Sequence, residues 1–185
     1  PVGMVTGFVD PNGAGKTTTI KAMLGMVGID AGSISVLGGA PGARHGRIGV
    51  VLDTVALPRE WTAASAARNL ARFYPDWDRG RLDELLARLD VPARVKVKDL
   101  SRGQGVKLQL ALALAHRPEL LILDEPTSGL DLGARELLIA ALSEIMKGSK
   151  SPQVILVTHQ IEEIPAGVTH CAIMSNGAIT HQGPI

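Results

Sequence analysis

The stretch that most constrains this chain is Pro11-Asn12-Gly13-Ala14-Gly15-Lys16-Thr17-Thr18. An apolar, β-prone run over residues 2–9 leads into it, and residues 16–26 leave it with Ile20, Met23, Leu24 and Val27 on one helical face. A glycine-rich turn between a strand and a helix lets backbone N–H groups point inward and approach an anion closely. The helix that starts near Lys16 adds the positive end of its dipole at the same point. The pattern is that of a phosphate-gripping loop, with Asn12, Gly13, Ala14, Gly15, Lys16, Thr17 and Thr18 as its nucleotide-binding residues. Lys16 is expected to bridge the β- and γ-phosphates of ATP, and the Thr17 hydroxyl to ligate Mg²⁺.

One position departs from the full pattern, which opens on glycine. Here Asp10 stands there. A carboxylate about 6 Å from a phosphate costs roughly 3 kcal/mol per unit charge at an effective dielectric near 20, part of which Lys16 or Mg²⁺ offsets. Asp10→Gly is therefore expected to bind ATP more tightly, and a titration showing equal or weaker affinity would refute the repulsion. A second acidic site lies about a hundred residues on. Residues 120–123 are Leu-Leu-Ile-Leu and run into Asp124-Glu125. A buried parallel strand looks like this, and it delivers both carboxylates to the sheet edge where ligands bind. Asp124 is the expected Mg²⁺ holder, through water. Glu125 is the expected general base that polarises the attacking water.

The rest of the chain reads as alternating strands and helices. Short strands are expected at 33–37 and 47–52, two helices within 61–89 split at Tyr74-Pro75-Asp76, and a charged linker at 91–99. A Leu/Ala helix follows up to His116. A helix at 135–146 and a buried strand at 154–157 come next, then a hairpin of 171–175 and 178–181 around Asn176-Gly177. This predicts an α/β fold with a mainly parallel sheet. Aromatic residues make up only 3%, so the core must be aliphatic. Net charge is +1 with basic and acidic residues interspersed, which gives no basic stripe and no reason to expect a nucleic-acid partner. The single cysteine, Cys171, rules out an internal disulfide framework and reads as a small core residue. His45, His116, His170 and His181 lack metal-ligand spacing and read as surface or capping residues, while Trp61 and Trp77 read as packing residues. No apolar run nears the roughly 20 residues a membrane span needs. The chain opens at Pro1 inside what reads as an ongoing fold, so further sequence is expected at both ends.

Three more segments make the reading specific. Leu100-Ser101-Arg102-Gly103-Gln104 resembles the signature motif Leu-Ser-Gly-Gly-Gln of ABC ATPases, and Ser128-Gly129-Leu130-Asp131 resembles their D-loop. His159, after Thr158, resembles their switch histidine. With the phosphate loop and the acid pair, these occur in the family's order over nearly the whole chain, and the texture is similar to bacterial exporter ATPases of the drug-resistance type. The resemblance implies a P-loop NTPase with a RecA-like core, residues 1–53 and 118–185, and a helical subdomain at 54–117 that ends in the signature. It also implies paired domains, with ATP held between the P-loop of one and Ser101, Arg102, Gly103 and Gln104 of the other. In that scheme His159 holds the γ-phosphate and the attacking water, and Asp131 couples the two sites.

Partners implied by the resemblance are a second ABC domain and a membrane permease, which places the chain at the cytoplasmic face of the membrane. Two positions depart from the family pattern. Arg102 occupies the third signature position, and Asp53 stands at the Q-loop position after residues 48–52, where glutamine is usual. The upstream aromatic that stacks on adenine is absent from this sequence. A nucleotide-impaired structural or regulatory ABC domain, and a soluble ABC ATPase of DNA repair or translation, are the competing readings. ATP turnover separates the first from a transport ATPase, and co-purification with a membrane protein separates the second.

Overall fold

The most buried strand is the one with no polar alternation. β3, Leu120–Asp124, is buried at every residue, because an all-apolar strand is satisfied only where both faces of a sheet are covered. It pairs in parallel with β2, Ile48–Val51, on one side and with β4, Gln153–Thr158, on the other. β1, Val5–Val9, runs parallel beyond β4. β5, His170–Ser175, and the antiparallel β6, Ala178–Pro184, complete the order β2-β3-β4-β1-β5-β6. The computed structural model describes residues 5–9, 15–147, 151–159, 164 and 168–184, with backbone only for 5–9. The mainly parallel α/β sheet expected from the sequence is present.

Alternate residues of β3 feed two cores. Leu121 and Leu123 join Val51, Val154 and Leu156 beneath α4, Arg102–Leu114, and α5, Leu132–Met146. Leu120 and Ile122 face the opposite way, with Ile48 and Val157, and meet Ile20 of α1, Lys16–Met23, and Leu24 just beyond it. Burying one such side chain contributes roughly 1.5–3 kcal/mol. Between β2 and β3 the chain builds α2, Ala63–Leu70, and α3, Arg79–Arg88, on either side of the Pro75 break, then α4. Trp61 and Trp77 are partly buried against the same core, as packing residues should be. Among the described residues no helix is long and apolar enough to cross a membrane.

Several local expectations need correction. No strand forms at 33–37. Val36 makes only an isolated bridge to Gly39, and Leu37 turns the chain with φ 52°. α1 stops at Met23 rather than 26, because Gly25 adopts φ 69° directly after the capping residue Leu24. α5 starts earlier than expected, since the Asp131 carboxylate caps it by accepting from the Ala134 N–H at 2.9 Å. His116 is not a surface residue: it is 3% exposed and stacks on Tyr74 with ring centroids 4.1 Å apart.

α4 crosses β2 at very close range. A Cβ built on Gly49 would lie 2.6 Å from the Ala113 carbonyl oxygen, and neither backbone can yield. Gly49→Ala is expected to destabilise the fold by about 2–3 kcal/mol through overpacking, read as a lowered urea midpoint at unchanged m-value.

Candidate functional site

The C-terminal ends of parallel strands lie on one edge of the sheet, and the residues that follow them converge there. Gly15 sits at the start of α1 with φ 101°, a conformation that side chains other than glycine's rarely adopt. The next residue, Lys16, is only 7% exposed, and its Nζ lies 3.4 Å from Glu125 Oε1. The Thr17 hydroxyl donates to Asp124 Oδ2 at a long 3.4 Å. These two contacts join the first turn of α1 to the end of β3, and they place Lys16 and Asp124 at one site rather than on opposite sides of the molecule.

Glu125 directly follows β3. Its backbone bends into the left-handed region, φ 49°, while its N–H still donates to the Val157 carbonyl at 2.9 Å. The peptide is thus tied to β4 while the side chain turns into the cleft. There Oε1 meets Lys16 and Oε2 contacts Nδ1 of His159, the residue just after β4. Asp53, two residues past β2, and Ser128 complete a cleft of about 430 Å³ that also takes in Gly15, Thr17 and Thr18.

The electrostatics of this cleft are unbalanced toward negative charge. Burial raises the pKa of Asp124 above the ordinary carboxylate value, and the neighbouring carboxylates of Asp53 and Glu125 push it further up; the Thr17 hydroxyl and the Lys16 ammonium act in the opposite direction. A proton on Asp124 is therefore favoured more in the folded chain than in the unfolded one. Stability contributed by this group is greatest at low pH and declines as pH rises from the unfolded pKa through the raised folded one. Asp124→Asn is accordingly expected to raise the melting temperature of the ligand-free protein at pH 7, by about 2–4 °C for each kcal/mol of charge burial relieved. The difference should vanish below the unfolded pKa. A scan in which the variant melts lower at pH 7 would show that the carboxylate is not under strain.

The structure brings together Gly15, Lys16, Thr17, Thr18, Asp53, Asp124, Glu125 and His159. Asn12, Gly13 and Ala14 lie outside the described residues, as does Asp10. The signature residues are elsewhere, at the start of α4, outside the lining of this cleft. Ser101 and Gln104 form a reciprocal cap there: the Ser101 hydroxyl accepts from the Gln104 N–H at 3.2 Å, and Gln104 Oε1 accepts from the Ser101 N–H at 3.0 Å. Gly103 faces α5, since an added Cβ would lie 3.4 Å from the Ala134 methyl. Arg102 donates from Nη2 to the Asp53 carbonyl oxygen at 3.2 Å. Asp131 caps α5 and does not line the cleft. Sequence reasoning missed Ser128 as a cleft residue. Its signal is its place at the head of the Ser128–Asp131 motif, in the turn after the acid pair, where its N–H donates back to the Glu125 carbonyl at 3.0 Å.

Known proteins match this arrangement. Residues 1–128 fit the family model described as ABC transporter. The Nod factor export ATP-binding protein I of Neorhizobium galegae is 37% identical over 188 aligned residues, covering 96% of this chain and 53% of that protein. Its counterpart in Burkholderia pseudomallei is 41% identical over 166 residues, covering 85% and 54%. The chain thus spans about half the length of the curated relatives it matches. A solved structure described as an ATP-binding subunit of an ABC transporter superposes with a TM-score of 0.85 at 26% identity, covering 99% of this chain and 79% of that one. Sequence, sheet order and cleft agree in placing the chain in the ABC transporter family.

Proposed function

We propose that this chain binds and hydrolyses ATP to drive transport by a membrane permease. The observation that carries the reading is the pairing of the first turn of α1 with the acids that end β3. Lys16 meets Glu125, and Thr17 meets Asp124, at one strand-end cleft. The donor set suits Mg²⁺: a hydroxyl and a carboxylate are hard oxygen ligands, and the raised pKa of buried Asp124 marks a carboxylate short of positive charge. Thr17 and Asp124 would hold Mg²⁺, which would supply neutralisation of the phosphate charge.

The protein's own groups account for the remaining steps. Gly15, Lys16, Thr17 and Thr18, with Asn12, Gly13 and Ala14 upstream, grip the phosphates through N–H groups and the Lys16 ammonium. Glu125 accepts a proton from water as the water oxygen forms a bond to the γ-phosphorus and the bond to the β-phosphate oxygen breaks. His159 holds the Glu125 carboxylate in place and faces the γ-phosphate. Asp53 sits where it can order water at the metal.

Two chains pair so that Ser101, Gly103 and Gln104 of one meet the γ-phosphate held by the other, with the start of α4 offering N–H groups to the anion. Asp131 lies beside that contact and couples the sites. In this scheme 54–117 moves as a helical subdomain against 1–53 and 118–185, and the assembly lies at the cytoplasmic face of a membrane. The relatives named for export favour export over import.

The test is phosphate release from ATP, together with light scattering of the eluting protein with ATP or ADP. Steady release and a dimer that forms with Mg²⁺-ATP but not with ADP are expected. Binding without release and without association would leave a regulatory domain instead.

A further inference from the structure

α4 grips the segment that leaves β2 with one regularly spaced face. Arg102 donates from Nη2 to the Asp53 carbonyl at 3.2 Å. Gly105, one turn on, leaves room for Val55, whose Cγ2 would lie 2.6 Å from a Cβ at that position. Gln109, a further turn on and 8% exposed, donates from Nε2 to the Leu52 carbonyl at 3.3 Å. Positions 102, 105 and 109 follow the i, i+3, i+7 stripe of a helix, so residues 52–55 are seated along α4 as a unit. The other side of the Arg102 guanidinium lies flat on the turn after Glu125. A Cβ on Gly129 would be 3.0 Å from its Cζ and 3.1 Å from its Nε. The missing Cβ keeps that surface open, and φ 67° suits glycine there.

The geometry points to Arg102 as a positioning residue that clamps its own chain's Asp53 segment to its own 128–131 turn, so that a phosphate arriving at the start of α4 alters the cleft of the same chain. The inference rests on the proposed pairing of two chains around ATP. It assigns the third signature position a role within its own chain: from the exposed start of α4 the guanidinium reaches a backbone oxygen and a glycine of that chain, beside the Ser101–Gln104 cap. A rigid helix with one ligand at its end and two cleft segments along its side transmits a small displacement to both. Coupling of this kind is reciprocal in binding free energy.

The test uses the full chain. Arg102→Ala is expected to lower kcat about fivefold, with the KM for ATP within twofold, as befits a coupling contact rather than a phosphate contact. Amide hydrogen exchange should accelerate in peptides covering 52–55 and 128–131 and stay unchanged in β3 and β4. Gly129→Ala pushes the guanidinium away and should also lower kcat. In the Arg102→Ala background it should cost at least twofold less than in the parent chain, because the backbone strain at Gly129 is common to both backgrounds and cancels when the two costs are compared. Unchanged exchange at both segments, a purely additive cycle, or a rise in KM at constant kcat would each overturn the clamp. A wild-type protein that releases no phosphate would overturn the ATPase reading and the coupling role with it. The exchange data would still report separately whether Arg102 holds the two segments.

Discussion

Replacing Glu125 by Gln is expected to lower steady-state ATP turnover about 10³-fold while leaving nucleotide binding intact, within the range for loss of a general base. The substitution preserves shape and leaves an amide oxygen within reach of the Lys16 ammonium, now 3.4 Å from Oε1. It removes the charge that lets the residue take a proton from water. It also removes the ionic half of the contact with His159. Because Glu125 competes with phosphate for Lys16 in the ligand-free chain, ATP affinity should hold or rise. Phosphate release and equilibrium titration with a fluorescent ATP analogue, measured on the same preparation, separate the two effects. Turnover within tenfold of the parent chain would mean that the base lies elsewhere in the cleft.

Much of this site was legible because its motifs coincide with element boundaries. The strand 120–123 declared itself by four apolar residues and an acid, and its burial on both faces follows from α4 and α5 covering one side of the sheet and α1 the other. The Asn176-Gly177 turn announced the hairpin of β5 and β6 in the same way. What failed was tertiary. Residues 33–37 are β-prone but pair with no strand among the described residues, so propensity yields one bridge at Val36. His116 shows no local periodicity that would distinguish a surface imidazole from one stacked under Tyr74. Arg102 stands in the sequence only as a departure from the signature pattern, and its reach onto Asp53 and Gly129 depends on contacts far apart in the chain.

Ser101-x-x-Gln104 and Asp131 carry a different lesson. Each is a plain helix-capping signal as well as a motif residue, and in the single chain each acts as a cap. For Ser101 and Gln104, the proposed pairing would bring the γ-phosphate of the other chain to the same helix start.

Lys16→Ala should weaken ATP binding roughly 100-fold, the 2–3 kcal/mol end of what truncating one partner of a buried, hydrogen-bonded charge pair costs. Lys16 is 7% exposed at the first residue of α1, so its ammonium is largely stripped of water and worth more to a phosphate than a surface lysine would be. The same substitution removes a cation from the side of Glu125, at 16% exposure, and leaves that carboxylate facing Asp124 and Asp53 with less to balance it. Part of the lost affinity therefore comes from negative charge that the triphosphate must now approach. Lys16→Arg distinguishes the contributions, since it keeps the charge but replaces a compact ammonium by a wide planar fork. Near-normal affinity in Lys16→Arg with a large loss in Lys16→Ala would assign the effect to charge alone. Equal losses would assign it to the fit of a single ammonium between phosphates. Calorimetric titration of ATP reads both, and affinity within threefold of the parent in the alanine variant would mean that this turn does not grip the triphosphate at all.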